Sequence, residues 1–552
     1  MNARVWDRVG RRLGVGTMEL AGLAAILLLA AADRLVNLPA RGIWDVDQGT
    51  ETWAIRTAVL SGRLPTFGSQ AFSVGGTFHH GALFYDSMMP AAWLGNGNPT
   101  LLVLEIALFG LAVVPMVWWI ARTIGGPSAG LAAALLAAVS PALIDYSTFV
   151  WNPVLVQPGT ALACLGAWQA WRTHQPRWWV VAAFGTAVAF QSHLAAGVLI
   201  LPMTAAFGLA LRRGPAGERL RLFRWGLAGV ALFLLTWLPL IVYELGHDFA
   251  ETRAILAFSQ PDAPAPALLG RLFLGATRIV AWPFTRWPLV DFNPGFGVAF
   301  AVAAFVGLGL VWRLAGAFGA QRPALAAAPV VRDDHAEGSA AASEDEWRRN
   351  ERAGIRFVGG TLILIGAVLC LVLKEVALVQ TVNEEQYHIV ADVPVILAAG
   401  LVIGGLWRST PLRGRPWTGR VAASLALAGV VAVCAVHWPP LTAYDGGWPA
   451  AQQAAARLEL DAGGVPTALV SLPGFRSADA YGYPLSLDGV NLVAPSRADA
   501  VLILCDSAWY QGCGGAAEDG WLADNAGGRG LKFLDRFEPA PGRTLTVYRR
   551  SP

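Results

Sequence analysis

Residues 17–53, TMELAGLAAILLLAAADRLVNLPARGIWDVDQGTETW, decide the fold because an acidic loop directly follows an apolar run. The run from 17 to 38 is long enough to cross a bilayer as a helix, for which about 20 apolar residues suffice. Asp45 and Asp47 then stand one residue apart, ahead of a stretch with helical periodicity. Paired carboxylates beside a membrane span predict a polar site at the membrane surface.

The overall composition is that of a membrane protein. Of the 552 residues, 55% are hydrophobic and 14% are charged, whereas a soluble domain carries about 25% charged residues. The net charge of +3 indicates little, because the distribution of charge along the chain matters more than its sum. No basic stretch interleaved with aromatic residues lies outside the loops between apolar runs, so we expect no nucleic-acid partner.

Further apolar runs recur along the chain and predict an α-helical polytopic fold with roughly eleven membrane spans. After the first run, the candidates lie near 100–121, 127–144, 154–171, 178–191, 193–211, 225–243, 294–313, 356–373, 389–407 and 419–437. The pair at 178–211 is the weakest prediction, because the polar triplet QSH interrupts one long run.

The arginine clusters indicate an orientation. Four arginines precede the first span, and later clusters lie near 172–177, 212–224, 348–356 and 408–420. With the spans above, every cluster falls on one side, as expected of the cytoplasmic face. We therefore expect the amino terminus and a charged, Ala-rich linker at 314–355 in the cytoplasm. A cleaved secretory signal is the alternative for the first run, and the many later spans favour an uncleaved anchor.

The same map divides the chain into a membrane domain, 1–437, and an extracytoplasmic domain, 438–552. The outer face also receives residues 39–99, which we call the first outer loop, and the segments 244–293 and 374–388. The tail alternates strand-like runs such as TALVSLP with helical ones such as AAQQAAARLEL, which is typical of a small α/β domain. Cys505 and Cys513 lie in this tail, where an oxidising compartment permits a disulfide; two free thiols are the alternative.

The first outer loop contains an amphipathic stretch, QGTETWAIRTAVLSGRLP, with apolar residues at four-residue spacing, as in a helix at the membrane interface. We expect Thr50 to cap this helix and Gly62 to end it. Asp47 then lies just ahead of a helix N-terminus, whose partial positive charge favours an ionised carboxylate. Such a group can act as a general base or hold a metal or a sugar hydroxyl. For Asp45, a helix cap is an equal alternative.

The loop continues to His79 and His80, which open an aromatic, Met-rich stretch. Imidazoles donate hydrogen bonds to phosphate or ligate metals. An adjacent pair without a spaced partner is a weak metal site, and the linker residues Asp333, Asp334 and His335 lack a fold that fixes their geometry. We therefore expect no cofactor, with a divalent metal as the less favoured alternative.

Five segments of the first 210 residues carry a family resemblance in combination: DQG (47–49), LSGRLPTFGS (60–69), GGTFHHGALFY (75–85), YSTFVWNP (146–153) and FQSHLAAGVLILP (190–202). They resemble glycosyltransferase family 39, a membrane-embedded GT-C group that includes protein O-mannosyltransferases and the aminoarabinose transferase of lipid A. The resemblance implies an enzyme of the bacterial cytoplasmic membrane. It would pass a sugar from a polyprenyl-phosphate carrier to a glycan, lipid or protein acceptor on the outer side, among membrane lipids.

In that family the first outer loop carries an aspartate, often as Asp-Glu, that is assigned as catalytic, and Asp47-Gln48 stands at this place. The resemblance implies Asp47 as the base of an inverting transfer. Asp45 would orient the acceptor or pair with an arginine such as Arg41. Gln48 departs from the Asp-Glu form, and Glu51, one helical turn later, is the nearest acid in a position to substitute.

Displacing a lipid phosphate from a sugar also requires positive charge or hydrogen-bond donors at the leaving phosphate. The candidates on the outer side are Arg271, Arg278, Arg286, Lys374, His79, His80, His193 and His388, and Tyr85 and Asn152 complete the predicted substrate-binding set. For each arginine, the alternative is a side chain that anchors its helix at the interface. For Asn152 the alternative is a helix cap, and for His193 a hydrogen bond between neighbouring helices.

Two other functional classes stay open. A transporter or flippase of lipid-linked sugars is expected to show repeated halves and charged or broken spans near the midplane, and the sequence shows neither pattern. A non-catalytic scaffold that presents its outer tail to a partner does not need an acidic, histidine-rich first loop. The concentration of polar residues in the outer loops favours the enzyme.

The orientation predicts that reporter fusions after Arg212 and after Tyr444 lie on opposite sides of the membrane. The arginine cluster keeps Arg212 in the cytoplasm, and the odd number of predicted spans that follow places Tyr444 outside. Alkaline phosphatase, which is active only outside, should be active after Tyr444 and inactive after Arg212. Equal activity at both positions would refute the map.

Overall fold

The described part of the chain is a body of apolar helices followed by a small sheet domain. The computed structural model describes residues 15–73, 76–257, 268–287, 294–319, 335–371, 385–409, 415, 417–474, 476–507, 510, 512–526 and 530–550. The helices up to the sheet domain are α1 (Thr17–Leu35), α2 (Leu38–Arg41), α3 (Val46–Ser61), α4 (Leu83–Leu94), α5 (Pro99–Val139), α6 (Pro141–Asp145), α7 (Val156–Thr173), α8 (Trp178–Ser192), α9 (Ile200–Arg213), α10 (Ala216–Thr236), α11 (Leu238–Gly246), α12 (Ala250–Leu256), α13 (Leu268–Thr285), α14 (Pro294–Gly319), α15 (His335–Leu371), α16 (Asp392–Arg408) and α17 (Trp417–Val436).

A helix lies at each of the eleven positions predicted for spans. α5 covers two of these positions and is broken between them by a kink at Gly126, where φ is 80°. The interrupted run at 178–211 forms α8, a 3₁₀ turn (Leu194–Leu199) and α9. By length and composition, six helices of the described ranges could cross a membrane, or seven if α10 and α11, bent by 64°, form one span. The predicted multi-pass helical fold is confirmed.

The linker predicted at 314–355 differs from expectation. α14 extends to Gly319 and α15 begins at His335, so both described parts of the linker are helical. Ala, Glu and Arg favour helix, and Glu344 pairs with Arg348 at 2.6 Å with the i,i+4 spacing of a helix face. The linker sequence has no periodic apolar residues, and for that reason the charged helix was not predicted. Asp333 and Asp334 lie outside the described residues.

α5 is central to the helical body and packs against α1, α7 and α16. Small residues permit the close approach of α5 and α16: a Cβ added to Gly400 would lie 2.6 Å from the Cβ of Ala133, and one added to Gly404 would lie 2.5 Å from that of Ala129. Helices in lipid gain little from the hydrophobic effect between them, so such small-residue contacts are what holds them together.

The first outer loop folds into α2, α3, an antiparallel hairpin of β1 (Gln70–Ser73) and β2 (Gly76–His79), and α4. The predicted interface helix is present and ends at Gly62, as expected. The prediction that Thr50 caps it is wrong. Asp45 is the N-cap and forms a capping box with Gln48, because each side chain satisfies a backbone N–H that the first helical turn leaves free.

The tail after α17 forms an α/β domain around a four-stranded sheet in the order β3-β4-β6-β5. Its elements are α18 (Gly447–Ala462), β3 (Thr467–Leu472), α19 (Asp479–Leu487), β4 (Ala500–Asp506), α20 (Ala516–Ala526), β5 (Leu531–Ala540) and β6 (Arg543–Arg550). β3 and β4 are parallel, and the other pairs are antiparallel. α18 and α19 cover one face of the sheet, and α20 covers the other. The predicted small α/β domain is confirmed, and we call it the sheet domain.

The sheet domain docks on the first outer loop through aromatic side chains. The ring of Trp44 lies 4.5 Å from that of Trp448 and 6.2 Å from that of Tyr483. The indole N–H of Trp44 donates to the carbonyl of Ala480 at 2.7 Å. Aromatic side chains contribute large buried area with a polar handle, which suits them to such a contact.

A second contact explains the glycine after Gln48. Gly49 packs directly against the backbone of Asp479, and a Cβ at this position would overlap the Asp479 carbonyl. The neighbouring Thr50 hydroxyl donates to the Asp479 carboxylate at 2.7 Å. α3 and the start of α19 therefore approach each other more closely than any other residue at position 49 permits.

Cys505, on β4, and Cys513 form the disulfide predicted from the sequence. We expect mass spectrometry of the denatured, unreduced protein to find their two peptides joined, with both thiols alkylated only after reduction. The buried free cysteines Cys164, Cys370 and Cys434 are internal controls, because they should be alkylated with or without reductant. Alkylation of both Cys505 and Cys513 in the unreduced sample would contradict the bridge.

Candidate active site

Asp45 is held in place by the capping box and by two arginines. One oxygen accepts the N–H of the next residue at 2.6 Å, and the Asp45 N–H donates to Gln48 Oε1 at 3.0 Å. The other oxygen lies 2.8 Å from Arg543 and 3.5 Å from Arg476, both in the sheet domain. These two arginines take the place predicted for Arg41. The alternative of a helix cap is confirmed for Asp45.

Arg543 is itself fixed by the first outer loop. Its guanidinium donates to the carbonyl of Trp44 at 3.2 Å and lies 3.7 Å from the carboxylate of Asp445. Asp445 in turn accepts the backbone N–H of Trp44 at 2.9 Å. The sequence held no signal for Arg476 and Arg543, because both lie more than 400 residues beyond Asp45 and outside any motif.

Asp47 is the second residue of α3 and lies inside its first turn, not ahead of the helix as predicted, and its side chain is exposed to solvent. The surrounding protein and the Asp45 carboxylate raise the pKa of Asp47, and Arg476 opposes this rise. The expectation that the helix dipole dominates is therefore wrong, because desolvation and a like charge outweigh it. Asp47 is an accessible carboxylate that binds a proton more readily than an ordinary aspartate, as a general base must.

Glu51 lies one turn after Asp47 and is buried. It accepts a hydrogen bond from the Ser69 hydroxyl and shares another with the Tyr85 hydroxyl. Burial raises the pKa of Glu51 to about 8, although both hydroxyls lower it. Glu51 is thus a neutral acid at pH 7 and does not replace Asp47 as a base. Tyr85, predicted to bind substrate, is buried and engaged with this acid.

The side chains of His79 and His80 lie in different environments. His79 donates its backbone N–H to Glu251 on α12 at 2.7 Å, and its Nδ1 lies 3.0 Å from the same carboxylate. Successive side chains of a strand point to opposite faces, and His80 is buried. Burial, and secondarily His79, lower the pKa of His80 to about 4, so its ring is neutral and donates one hydrogen bond. Within the described ranges, no group of three or more His, Cys, Asp or Glu side chains is placed to hold a metal.

Four candidate residues and one further tyrosine, from four segments, form one connected cluster, which we call the basic row: His80, His193, His388, Arg278 and Tyr387. The rings of His80 and His193 lie 5.3 Å apart, and those of His193 and Tyr387 lie 5.1 Å apart. Arg278 Nε donates to His388 Nε2 at 3.0 Å. The row joins the first outer loop, the turn after α8, the turn before α16, and α13. Its permanent cation is Arg278, because a guanidinium stays protonated.

Asn152 and Arg286 bond to residues outside this row. Asn152 donates to the Ser192 carbonyl at 2.5 Å, which joins the 3₁₀ turn Asn152–Leu155 to the end of α8. The N-cap of that turn is Trp151 and not Asn152. Arg286 forms an ion pair with Asp145 at 2.8 Å, so its charge is balanced within the protein. Lys374 and the side chain of Arg271 lie outside the described residues.

Part of the chain is similar to known proteins. Residues 92–243 match the family model described as dolichyl-phosphate-mannose-protein mannosyltransferase. This match agrees with the resemblance to family 39 and supports glycosyltransferase activity. It begins after Asp47, so it does not bear on the catalytic assignment. A comparison with curated protein sequences found no match.

A comparison with solved structures supports the fold. The arabinofuranosyltransferase AftD from Mycobacteria aligns with a TM-score of 0.50 at 14% identity, over 97% of this chain and 40% of that chain. ArnT from Cupriavidus metallidurans, in the apo state and bound to undecaprenyl phosphate, aligns with a TM-score of 0.47 at 15% identity, over 95% of this chain and 97% of that chain. The similarity to AftD confirms a GT-C fold for this chain.

Glu51 should make folding stability depend on pH. Its pKa rises from 4.5 to about 8 on folding, so between these values the folded protein holds a proton that the unfolded chain lacks. The stabilisation is complete below pH 4.5 and is lost as the pH rises through about 8. Glu51→Gln is neutral at every pH. The unfolding temperature of the variant in detergent, minus that of the wild type, should therefore increase as the pH rises from about 5 to about 9.

The matched control is Glu459→Gln, which changes an exposed glutamate of the sheet domain. Its difference from the wild type should stay flat over the same pH range. A flat difference for Glu51→Gln as well would show that Glu51 ionises normally in the folded protein.

Proposed function

We propose that the protein transfers a sugar from a polyprenyl-phosphate donor to an acceptor on the outer face of the cytoplasmic membrane. The observation that carries this proposal is the position of Asp47, an exposed carboxylate on a loop helix that is linked to a buried basic row. The link runs through Glu51, one turn after Asp47, which bonds Ser69. The Ser69 carbonyl accepts the backbone N–H of His80 at 2.9 Å.

The first half of the reaction needs a base. As the acceptor hydroxyl oxygen bonds to the anomeric carbon, the Asp47 carboxylate removes the hydroxyl proton, a contribution of about 10²–10⁴-fold in rate. The bond from the anomeric carbon to the phosphate oxygen breaks, and the phosphate leaves with the electron pair. Attack opposite the leaving group inverts the anomeric configuration. Asp45 cannot take this part readily, because both of its oxygens already have partners.

The second half needs stabilisation of the leaving phosphate. The Arg278 guanidinium supplies a fixed charge, and the neutral ring of His80 supplies a hydrogen-bond donor in a water-poor environment, where such groups are most effective. His193 accepts the N–H of Ala195 at its Nδ1, 3.3 Å away, which leaves Nε2–H as its donor. The matched family is described by its use of dolichyl-phosphate-mannose, which supports a polyprenyl-phosphate sugar as the donor class.

Replacement of Asp47 separates this proposal from transport or scaffolding. Asp47→Asn keeps the shape of the side chain and removes the base, so the rate of sugar transfer should fall at least about a hundredfold. The assay measures polyprenyl phosphate released from a set of undecaprenyl-phosphate-linked hexoses and pentoses, with membrane extract as the source of acceptor. Donor binding, followed by intrinsic Trp fluorescence, should persist.

Asp45→Asn is the matched control. Asn is as good an N-cap as Asp, so the variant should retain α3 and lose less activity than Asp47→Asn. Near-normal turnover of the Asp47→Asn protein would remove Asp47 from the mechanism. A wild-type protein that releases no polyprenyl phosphate from any donor would contradict the transferase itself.

A further inference from the structure

We infer that the sheet domain completes the active site, with Arg476 as a positioning residue that acts through the charge of the Asp45–Asp47 pair. This inference rests on the proposed transferase function, because it assigns a role in the same step. It gives the sheet domain a part in catalysis in addition to any part in the choice of acceptor.

The two arginines that reach Asp45 are not equivalent. The Arg543 side chain is 6% exposed and lies 2.8 Å from the carboxylate, whereas the Arg476 side chain is 22% exposed and lies 3.5 Å away. Arg543 is also bound to Trp44 and close to Asp445. Arg543 therefore holds the domains together, and Arg476 stands on the more open side, where Asp47 is exposed.

The backbone around Arg476 is built to hold it there. Arg476 follows the carboxyl end of β3, and its N–H donates to the carbonyl of Pro473 at 3.1 Å. The Ser471 hydroxyl donates to the Arg476 carbonyl. Both bonds close a short turn, and the carboxyl end of a parallel strand is where α/β domains commonly place functional side chains. The turn directs the guanidinium away from the sheet domain and toward the first outer loop.

The charge balance explains what Arg476 does. Asp45, the N-cap of α3, and Asp47, two residues later in its first turn, carry like charges, and the charge of Asp45 opposes ionisation of Asp47. The positive charge of Arg543 offsets the charge of Asp45. Arg476 is the second cation, and it lowers the pKa of Asp47 against the effects of the surrounding protein and of Asp45. Without it, Asp47 would hold a proton to a higher pH and would accept one from the acceptor only above that pH.

The full-length enzyme tests this inference through its pH profile. Arg476→Gln should move the acid limb of kcat to higher pH by about one unit, a loss of about tenfold on that limb, with the KM for the donor unchanged. Arg476→Lys keeps the charge and should restore most of the limb. Arg497→Gln, at an exposed arginine of the same domain, should behave as the wild type.

A second measurement does not need turnover. The infrared difference between Asp47 and Asp47→Asn proteins reports the carboxyl titration of Asp47, and its midpoint should rise in the Arg476→Gln background. Folding of each variant is checked by its unfolding temperature. An unchanged profile and midpoint in a folded Arg476→Gln protein would overturn the inference. So would a raised donor KM with an unchanged profile, which would make Arg476 a ligand of the donor phosphate. Absence of transfer in the wild type bears only on the proposed function, and the infrared midpoint still decides the role of Arg476.

Discussion

The ion pair between Asp45 and Arg543 is the contact on which the arrangement of the site depends. Asp45 begins α3, and Arg543 begins the last strand of the sheet domain, so one charge pair sets where α3 starts and where the domain docks. A partly buried carboxylate is costly unless it is paired and hydrogen-bonded. The capping box and the two arginines meet this requirement together. Trp44 and Gly49 extend the same contact on either side.

Two carboxylates on one helix face acquire different properties from their surroundings. Asp47 is exposed and close to a cation, and Glu51, one turn later, is buried against two hydroxyls. Such an environment keeps Glu51 protonated while Asp47 remains able to exchange a proton. Because Glu51 is neutral, it places no second negative charge beside the base Asp47. It also lets Ser69 and His80 pack against α3 without an unpaired ion.

The membrane imposes the second constraint on the site. Polar groups between apolar helices are costly unless they find partners within the protein. In the basic row, Arg278 bonds His388, His193 accepts a backbone N–H, and the rings of His80 and His193 lie 5.3 Å apart. A set of this kind is arranged before any ligand arrives. Preorganised donors of this sort cost no rearrangement when charge develops on a leaving phosphate. The row and Asp47 thus belong to the same outer-loop framework, although they come from distant parts of the chain.

The sequence by itself determined the helical membrane fold, the α/β tail, the disulfide and the interface helix with its two aspartates. These properties follow from local causes: apolar length, strand and helix periodicity, cysteine placement and a terminating glycine. Tertiary structure decided which aspartate caps the helix and which of His79 and His80 is buried. It also decided that Arg278 donates a hydrogen bond to His388. It also brought Arg476 and Arg543 to Asp45. Such contacts join residues hundreds of positions apart, and their energy depends on burial and charge that exist only once the chain is folded.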